Sequence, residues 1–343
     1  MIERNYPRLF FTGATGYLGG DAWTAILGKH PEWQSSSTCL VRNETRGRLL
    51  QKKYPSVRLV IGDLSDSELL EHEASRADVV IHCASIEDPV SSQALANGLK
   101  RRSGTQPAYW IALSGTDNLA WKTVEDGSYG QTSDLQYDDL EGISQVIDLP
   151  DSAPHRDVEK IQLEAVSESI KLAIVCAPCV YGTGCGVGNT RSIQLPDMAK
   201  YTLEHGSAFQ VGKGLNRWPN IHVQDLSDLI LALVDNALQG GERATWGQEG
   251  YYFCENGEHV WGHMAKLVSQ AAKDHGYISD ANVVSWSAQE ADERVPFGAL
   301  FWGTNSRCIS LRARKLLAWE PKQHPIQDEV VKTLKDEARS SRK

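Results

Sequence analysis

The residues with the clearest chemical potential form a glycine-rich turn at positions 13–19. Gly13, Gly16 and Gly19 recur at intervals of three, after the apolar run RLFF and before the helical pattern DAWTAIL. In a strand–turn–helix unit, such glycines allow a tight turn, close approach of a ligand to the backbone, and close helix–strand packing. Free N–H groups at the start of the helix attract phosphate oxygens. We therefore predict a dinucleotide-binding turn formed by Thr12, Gly13, Thr15, Gly16, Tyr17, Leu18 and Gly19.

The end of the second predicted strand selects between the two nicotinamide dinucleotides. An acidic residue there binds the ribose 2′-hydroxyl of NAD, whereas this chain has Arg42 and Arg46. Arg42 follows Gly19 at close to the expected interval of about 20 residues. A guanidinium can hold a 2′-phosphate through paired N–H groups. We expect NADP(H) as the cofactor; NAD(H), with these arginines simply solvated, is the alternative.

Short apolar runs alternate with helical patterns through most of the chain and supply the frame for this turn. Continuous apolar strands separated by helices are typical of a parallel sheet that is covered on both faces. The sequence therefore predicts an α/β protein with a Rossmann-type, doubly wound parallel sheet. The predicted strands are 8–12, 37–41, 57–61, 78–82, 109–113, 172–176 and 250–254.

Breaks in this alternation predict a second, smaller lobe. We expect residues 1–182 and 217–260 to form the dinucleotide-binding domain, and residues 183–216 and 261–335 to form a discontinuous C-terminal lobe that binds the substrate. Residues 117–152 are acidic, polar and too long for an ordinary connection. We expect this insertion to lie at the mouth of the active site, where such loops set substrate choice. Trp121 lies in it, but tryptophans more often pack in cores than bind ligands.

Composition narrows the function. The 343 residues carry 35 basic and 44 acidic side chains, a net charge of −9. This balance argues against nucleic acid or an anionic membrane as the partner and leaves a small molecule. There is no apolar stretch near the roughly 20 residues of a membrane span and no signal-peptide pattern, so we expect a cytoplasmic protein.

The seven cysteines carry no metal-binding pattern. Cys176 and Cys179 form a C-x-x-C pair, but no second pair or suitably spaced histidines accompany it. Most of the cysteines lie in or beside apolar runs, which is typical of reduced, buried thiols. We expect no metal site.

Several further motifs occur in a characteristic order: GDLSD at 62–66, HCAS at 82–85, APCVYGTG at 177–184 and NIHVQDLSDL at 220–229. With the glycine turn, they make the chain resemble the extended short-chain dehydrogenase/reductase superfamily of sugar epimerases, dehydratases and dihydroflavonol-type reductases. The resemblance covers nearly the whole chain and implies a homodimer. It also implies cofactor contacts for the adenine, the ribose and the nicotinamide side, made respectively by Asp63 and Leu64, Ala84 and Ser85, and Pro178 and Val180.

The chain departs from this family at the catalytic residues. The family uses a Tyr-x-x-x-Lys pair with an upstream serine or threonine, yet none of the 11 tyrosines here precedes a lysine by four residues. The resemblance implies that Lys160 matches the lysine that holds the ribose and that Arg156 takes the tyrosine position. Ser114 or Thr116 supplies the hydroxyl. Arginine stays protonated and cannot pass a proton, although it can stabilise an oxyanion. The proton would have to come from His155, which suits acid–base work near neutral pH, from Tyr129 or Tyr137 of the insertion, or from water.

Three functions remain open at this stage. The first is an NADP(H)-dependent oxidoreductase acting on a small carbonyl compound or specialised metabolite. The second is an epimerase, dehydratase, lyase or cyclase with no net redox change. The third is a non-catalytic sensor of NADP(H), which the missing tyrosine suggests and the presence of Lys160 argues against.

Overall fold

A computed structural model describes residues 6–340 of the chain. The helices are α1 (Tyr17–Lys29), α2 (Glu44–Lys53), α3 (Ser67–Ala74), α4 (Pro89–Lys100), α5 (Trp121–Asp126), α6 (Ile143–Ile147), α7 (Arg156–Glu164), α8 (Gln194–His205), α9 (Val223–Leu238), α10 (Trp261–Asp274), α11 (Ala288–Arg294), α12 (Gly298–Gly303), α13 (Arg312–Leu317) and α14 (Ile326–Ser340). The strands are β1 (Leu9–Thr12), β2 (Ser37–Val41), β3 (Arg58–Ile61), β4 (Val79–His82), β5 (Ala108–Gly115), β6 (Tyr137–Asp138), β7 (Ile170–Ala177), β8 (Cys179–Tyr181), β9 (Ala208–Val211), β10 (Arg217–His222), β11 (Tyr251–Phe253), β12 (Glu258–Val260), β13 (Val283–Trp286) and β14 (Cys308–Ile309).

The central sheet confirms the predicted α/β fold. It has seven parallel strands in the order β11-β7-β5-β4-β1-β2-β3, and each corresponds to one of the seven predicted runs. β1 is entirely buried because helices cover both faces of the sheet, so its run LFFT needs no polar alternation. Thr12 at its end pairs with Leu40 on one side and His82 on the other. The carboxyl ends of β1, β2 and β4 therefore meet at one edge.

A second hydrophobic core lies in the C-terminal part and is rich in aromatic rings. Phe209 stacks on Trp286 with ring centroids 4.2 Å apart, and Trp302 packs against Phe209 at 5.5 Å. Helices α8, α10 and α14 enclose this core, and a small sheet in the order β12-β10-β8 joins it to the large domain. The predicted segment 261–335 does not stay within this lobe: Ala313 and Trp319 pack in the core of the large domain. None of the helices among the described residues combines the length and apolar character that crossing a membrane demands.

The insertion after β5 folds into short elements that are fastened to the rest of the chain. Its strand β6 pairs in parallel with β14. The buried carboxylate of Asp139 accepts hydrogen bonds from the amides of Phe253, Leu311 and Arg312 at 2.8–2.9 Å. Burial raises the pKa of Asp139 to about 6, although these three amides partly oppose the shift. These contacts hold the insertion against the rest of the chain in this structure.

Candidate active site

The glycine-rich turn connects β1 to α1 with a geometry that side chains would obstruct. Gly13 has a φ of +87°, and a Cβ there would lie 2.6 Å from the carbonyl carbon of Cys83. A Cβ at Gly19 would lie 2.9 Å from the Cβ of Cys83 and closer still to the Gly13 carbonyl oxygen. The Gly16 amide donates to that same oxygen at 2.8 Å. The first and third glycines thus let the turn lie directly on the end of β4.

Polar side chains from neighbouring strands support the turn. The hydroxyl of Thr12 and Nδ1 of His82 lie 2.8 Å apart in a fully buried contact. Burial lowers the pKa of His82 to about 4, so this ring is neutral near pH 7. From the first turn of α2, Arg46 Nη1 donates to the Thr15 hydroxyl at 3.3 Å. Arg42 lies exposed at the end of β2, on the same edge of the sheet.

The residues expected near the adenine and ribose follow β3 and β4 at this edge. Asp63 is exposed, and hydrogen bonds from the Ser65 hydroxyl and amide lower the pKa of its carboxyl group. Leu64 and Ser85 are half-buried, and Ala84 is exposed. Together with the glycine turn, they lie at the carboxyl ends of the parallel strands, where dinucleotides bind in the groove outside the strand ends of such sheets.

A second glycine-rich segment, residues 182–191, lies against the first one. The hydroxyl of Tyr17 donates to the carbonyl of Gly182 at 2.7 Å, and the Asn189 amide donates to the carbonyl of Thr15 at 3.0 Å. A Cβ at Gly188 would collide with the backbone of Thr15. This contact between the two segments was not predicted from the sequence, although the alternate glycines in GTGCGVG are a signal for close backbone packing. Pro178 and Val180, expected on the nicotinamide side, precede the segment in buried and half-buried positions.

A buried histidine–carboxylate pair lies at the end of β5. His155 Nε2 and Asp117 Oδ2 are 2.9 Å apart, with 3% and 12% of their side chains exposed. Both lie beside Gly115, where a Cβ would collide with Asp117 and come within 3.3 Å of His155 Nε2. Burial, the largest influence, lowers the pKa of His155, but the hydrogen bond and charge of Asp117 outweigh it and the pKa is raised.

The backbone of His155 is itself unusual. Its φ is +64°, a left-handed conformation that non-glycine residues seldom adopt. It sits immediately before the first residue of α7, where it aims its ring at Asp117 rather than capping the helix with its side chain. Backbone strain of this kind costs about 1–3 kcal/mol and concentrates at functional sites.

A buried network surrounds Glu159, one helical turn after His155. Its Oε1 accepts from the hydroxyls of Ser114 at 2.7 Å and Tyr251 at 2.8 Å, and from the Asn118 amide at 3.1 Å. Its Oε2 accepts from Arg156 Nη1 at 2.8 Å. The remaining guanidinium nitrogens of Arg156 bind backbone carbonyls of the insertion. Arg156 therefore braces the helix and the insertion, and the structure does not present its guanidinium to the groove.

The structure also separates Lys160 from this group. Lys160 is 43% exposed and pairs with Asp151 on the surface of the insertion. His155, just before α7, and Glu159, four residues later on the helix, point towards the end of β5. The sequence had led us to expect Arg156 and Lys160 there. Thr116 is fully buried, and within residues 6–340 its hydroxyl has no hydrogen-bond partner.

The tyrosines of the insertion occupy packing positions. The Tyr137 hydroxyl accepts from the Trp121 indole at 3.0 Å, and burial raises the pKa of Tyr137. Tyr129 packs against Gly303 and Val211. Neither has a hydrogen bond to the His155–Asp117 pair in the described part of the chain.

Potential metal ligands gather at one place that the sequence analysis did not assign. One ligand atom from each of His222, His324 and Glu329 lies within 4.8 Å of the others. Glu329 already pairs with Lys332 at 3.2 Å, and the Gln224 amide donates to His222 Nδ1 at 3.3 Å. The ammonium group of Lys332 on Glu329 and the amide of Gln224 on His222 disfavour a metal ion there. The seven cysteines are free; six are buried or half-buried, and Cys185 is exposed.

Comparisons with known proteins agree with this architecture. No family model matches the chain. Oxidase ucsJ from Acremonium sp is 36% identical over 341 residues, which cover 96% of this chain and 97% of that protein. The structure of the dTDP-glucose 4,6-dehydratase DesIV from Streptomyces venezuelae, a double mutant with NAD and DAU bound, aligns with a TM-score of 0.68. The UDP-glucose 4-epimerase from Thermotoga maritima aligns with a TM-score of 0.63.

The two structural matches are each 15% identical in sequence and cover 98% of this chain, with 98% of the dehydratase and 99% of the epimerase aligned. At this low identity, the structural matches establish the fold alone, which this chain shares with the dehydratase and the epimerase. The similarity to the Acremonium protein is higher and spans both chains almost completely. On that basis, this chain belongs to the protein family of oxidase ucsJ.

Proposed function

We propose that this protein is an NADP(H)-dependent oxidoreductase that acts on a small carbonyl compound or specialised metabolite, with His155 as its proton donor. The observation that supports this most directly is the buried His155–Asp117 pair at the end of β5, close to the edge that carries the glycine turn. The name of the 36% identical relative, an oxidase, points to the same class of reaction.

The residues of the groove fit a dinucleotide. Gly13 and Gly19 let the turn pack directly on the end of β4, and no side chain caps the N-terminus of α1, so its first amides are available to phosphate oxygens. Arg46, which already reaches the turn, and the exposed Arg42 would bind a 2′-phosphate and favour NADP(H) over NAD(H). When bound, this cofactor supplies or accepts the hydride.

The His155–Asp117 pair supplies acid–base chemistry. Because Asp117 engages Nε2, the other ring nitrogen, Nδ1, is the one that can donate a proton to a substrate oxygen. During carbonyl reduction the oxygen gains negative charge, and protonated His155 neutralises it as it becomes a hydroxyl group. Asp117 fixes the ring and stabilises its charged form. In the oxidation direction, neutral His155 would take the proton back.

Substitution of His155 by asparagine tests this assignment. Loss of the proton donor should reduce NADPH-dependent turnover of a panel of carbonyl compounds by about 10²–10⁴-fold, while NADPH affinity, measured by calorimetry, stays unchanged. His263→Asn, at an exposed position on α10, is the matched control and should behave as wild type.

Two results would contradict the proposal. Undiminished turnover in His155→Asn would remove this residue from the chemistry. Substrate conversion without net NADPH consumption would identify an epimerase, dehydratase or lyase instead of an oxidoreductase.

A further inference from the structure

A cavity of about 460 Å³ lies between the insertion and the C-terminal lobe. Its volume is within the range of roughly 300–1,000 Å³ that small-molecule sites occupy. Helix α5 contributes Trp121 and Val124 to its lining, and Phe297 and Leu300, at the start of α12 and within it, contribute as well. We refer to this cavity as the apolar pocket.

The apolar pocket adjoins the His155–Asp117 pair through the chain itself. Pro154, which lines the pocket, immediately precedes His155. Asp117 lies in the helical turn that leads directly into α5, four residues before Trp121. The same two backbone segments therefore hold both the proton donor and the pocket wall, so a molecule in the pocket is bordered by the elements that position His155.

The charge of the lining excludes one class of substrate. There is no lysine or arginine among the residues described as lining this pocket, and its one carboxylate is that of Asp292. Asp292 Oδ1 accepts a hydrogen bond from the Ala299 amide at 2.8 Å. A nucleoside diphosphate sugar, such as the UDP-glucose bound to the structurally similar epimerase, needs cationic partners for its phosphates and would be repelled here.

The exposure of the lining points to an apolar occupant. Val124 is 47% exposed and Phe297 is 59% exposed, although both are large apolar residues beside a concave surface. Phe297 also has a φ of +56°, a conformation that costs energy for any residue other than glycine. Exposed apolar groups clustered at a cavity are characteristic of ligand sites. The neutral hydroxyls of Tyr129 and Ser152 are available to orient a carbonyl or hydroxyl oxygen.

We propose that the apolar pocket binds the body of the substrate, and that the substrate is a carbonyl compound with an aromatic or alicyclic skeleton and no phosphate or nucleotide. This inference rests on the proposed function, because it takes His155 as the donor to the carbonyl oxygen. Burial of the rings against Trp121 and Phe297 supplies the binding energy. Specificity against nucleotide sugars comes from Asp292 and from the lack of a cation.

Binding to the NADP⁺-loaded protein tests the proposal without turnover. Acetonaphthone and tetralone, two uncharged ring ketones, are titrated by calorimetry and by quenching of tryptophan fluorescence. We expect both to bind in competition with each other, and UDP-glucose not to displace them. Val124→Glu should weaken ketone binding by roughly tenfold or more, equivalent to about 1.4 kcal/mol. Val284→Glu, the same change at an exposed position of β13, should leave it unchanged.

The outcomes separate this inference from the proposed function, because NADP⁺ affinity is measured on the same samples. If the protein binds NADP⁺ but neither ketone, or if UDP-glucose displaces them, the apolar pocket does not select such substrates. Equal effects of Val124→Glu and Val284→Glu would likewise overturn the assignment of the pocket. If the wild-type protein fails to bind NADP⁺, the proposed function itself is wrong.

Discussion

The glycine turn and the His155 region are two parts of one candidate site that are built in different ways. The turn lies within eight residues from Thr12 to Gly19, and its shape comes from the backbone. The His155 region combines residues from β5, the insertion, α7 and β11, and its shape comes from side chains that meet in a buried network.

This difference explains which part could be predicted. A backbone site needs particular residues at fixed local spacing, so its pattern is visible in the sequence. A side-chain site depends on which face of a helix turns inward. A helix rotated by one residue would bring different side chains into the site. The match of Arg156 and Lys160 to the family pair followed their spacing, whereas the side chains that form hydrogen bonds at the end of β5 are those of His155 and Glu159, one position earlier.

The largest effect is expected from a side chain in the glycine turn. Gly13→Ala would place a methyl group 2.6 Å from the backbone of Cys83 and strain a left-handed residue. We expect a loss of unfolding free energy of roughly 3 kcal/mol and, where the protein folds, a loss of NADP(H) affinity of about a hundredfold. Calorimetry and denaturant titration measure both.

Gly28→Ala, in the helix that follows the turn, provides the matched control. A Cβ at Gly28 meets no atom within 4 Å, and alanine favours helix over glycine by about 0.5–1 kcal/mol. We expect this variant to be slightly stabilised and to bind NADP(H) normally. Equal behaviour of the two alanine variants would mean that the turn does not depend on its backbone geometry.

A second prediction compares the two ion pairs of α7. Glu159→Gln would leave the buried Arg156 without its anionic partner, which typically costs about 3–5 kcal/mol of unfolding free energy. Lys160→Gln removes an exposed pair with Asp151, and such pairs contribute little to stability. Thermal or denaturant unfolding of both variants measures the contrast.

The same two variants examine whether Lys160 holds the cofactor ribose, as the family resemblance implies. Because Lys160 is exposed, we expect Lys160→Gln to change NADP(H) affinity by less than Glu159→Gln does. A selective loss of cofactor binding in Lys160→Gln, with stability intact, would restore the family role to Lys160 and narrow the contrast between the two regions.

The smallest expected effect is a shift in pH dependence. The pKa of His155 is raised above its ordinary value of 6.5, and carbonyl reduction uses its protonated form. Reduction should therefore be fast below the raised pKa and decline as pH rises through it. Asp117→Asn removes the charge that raises this pKa and leaves the opposing effect of burial, so the decline should move to lower pH.

The stability of the protein should follow the same sign. A raised histidine pKa stabilises the folded state fully below about pH 6.5, and this contribution is lost as pH rises through the folded pKa. The free energy of unfolding should be measured as a function of pH for the wild type and for Asp117→Asn. The pH-dependent contribution of His155 should be present in the wild type and absent from the variant. An unchanged pH–rate profile in Asp117→Asn would show that another group carries the proton.

Much of the frame was predictable because it depends on local pattern. Apolar runs such as LFFT and VVIH are buried on both faces, and helices separate them, so they predicted the central parallel sheet. The sequence indicated that the insertion is irregular. It did not indicate how the insertion is held in place, because Asp139 binds amides more than 100 residues away. The return of Trp319 to the large domain depends on a similarly distant partner, the carbonyl of Asp225.

By itself, the sequence determined the sheet and the glycine turn, since both arise from short-range periodicity and from the steric freedom of glycine. Only the tertiary structure decided that His155 meets Asp117, that Glu159 pairs with Arg156, and that Trp121 and Phe297 line one cavity. The physical reason is that burial and pairing of polar side chains are set by the approach of distant segments. That approach depends on the packing of the whole core rather than on the residues next to each group.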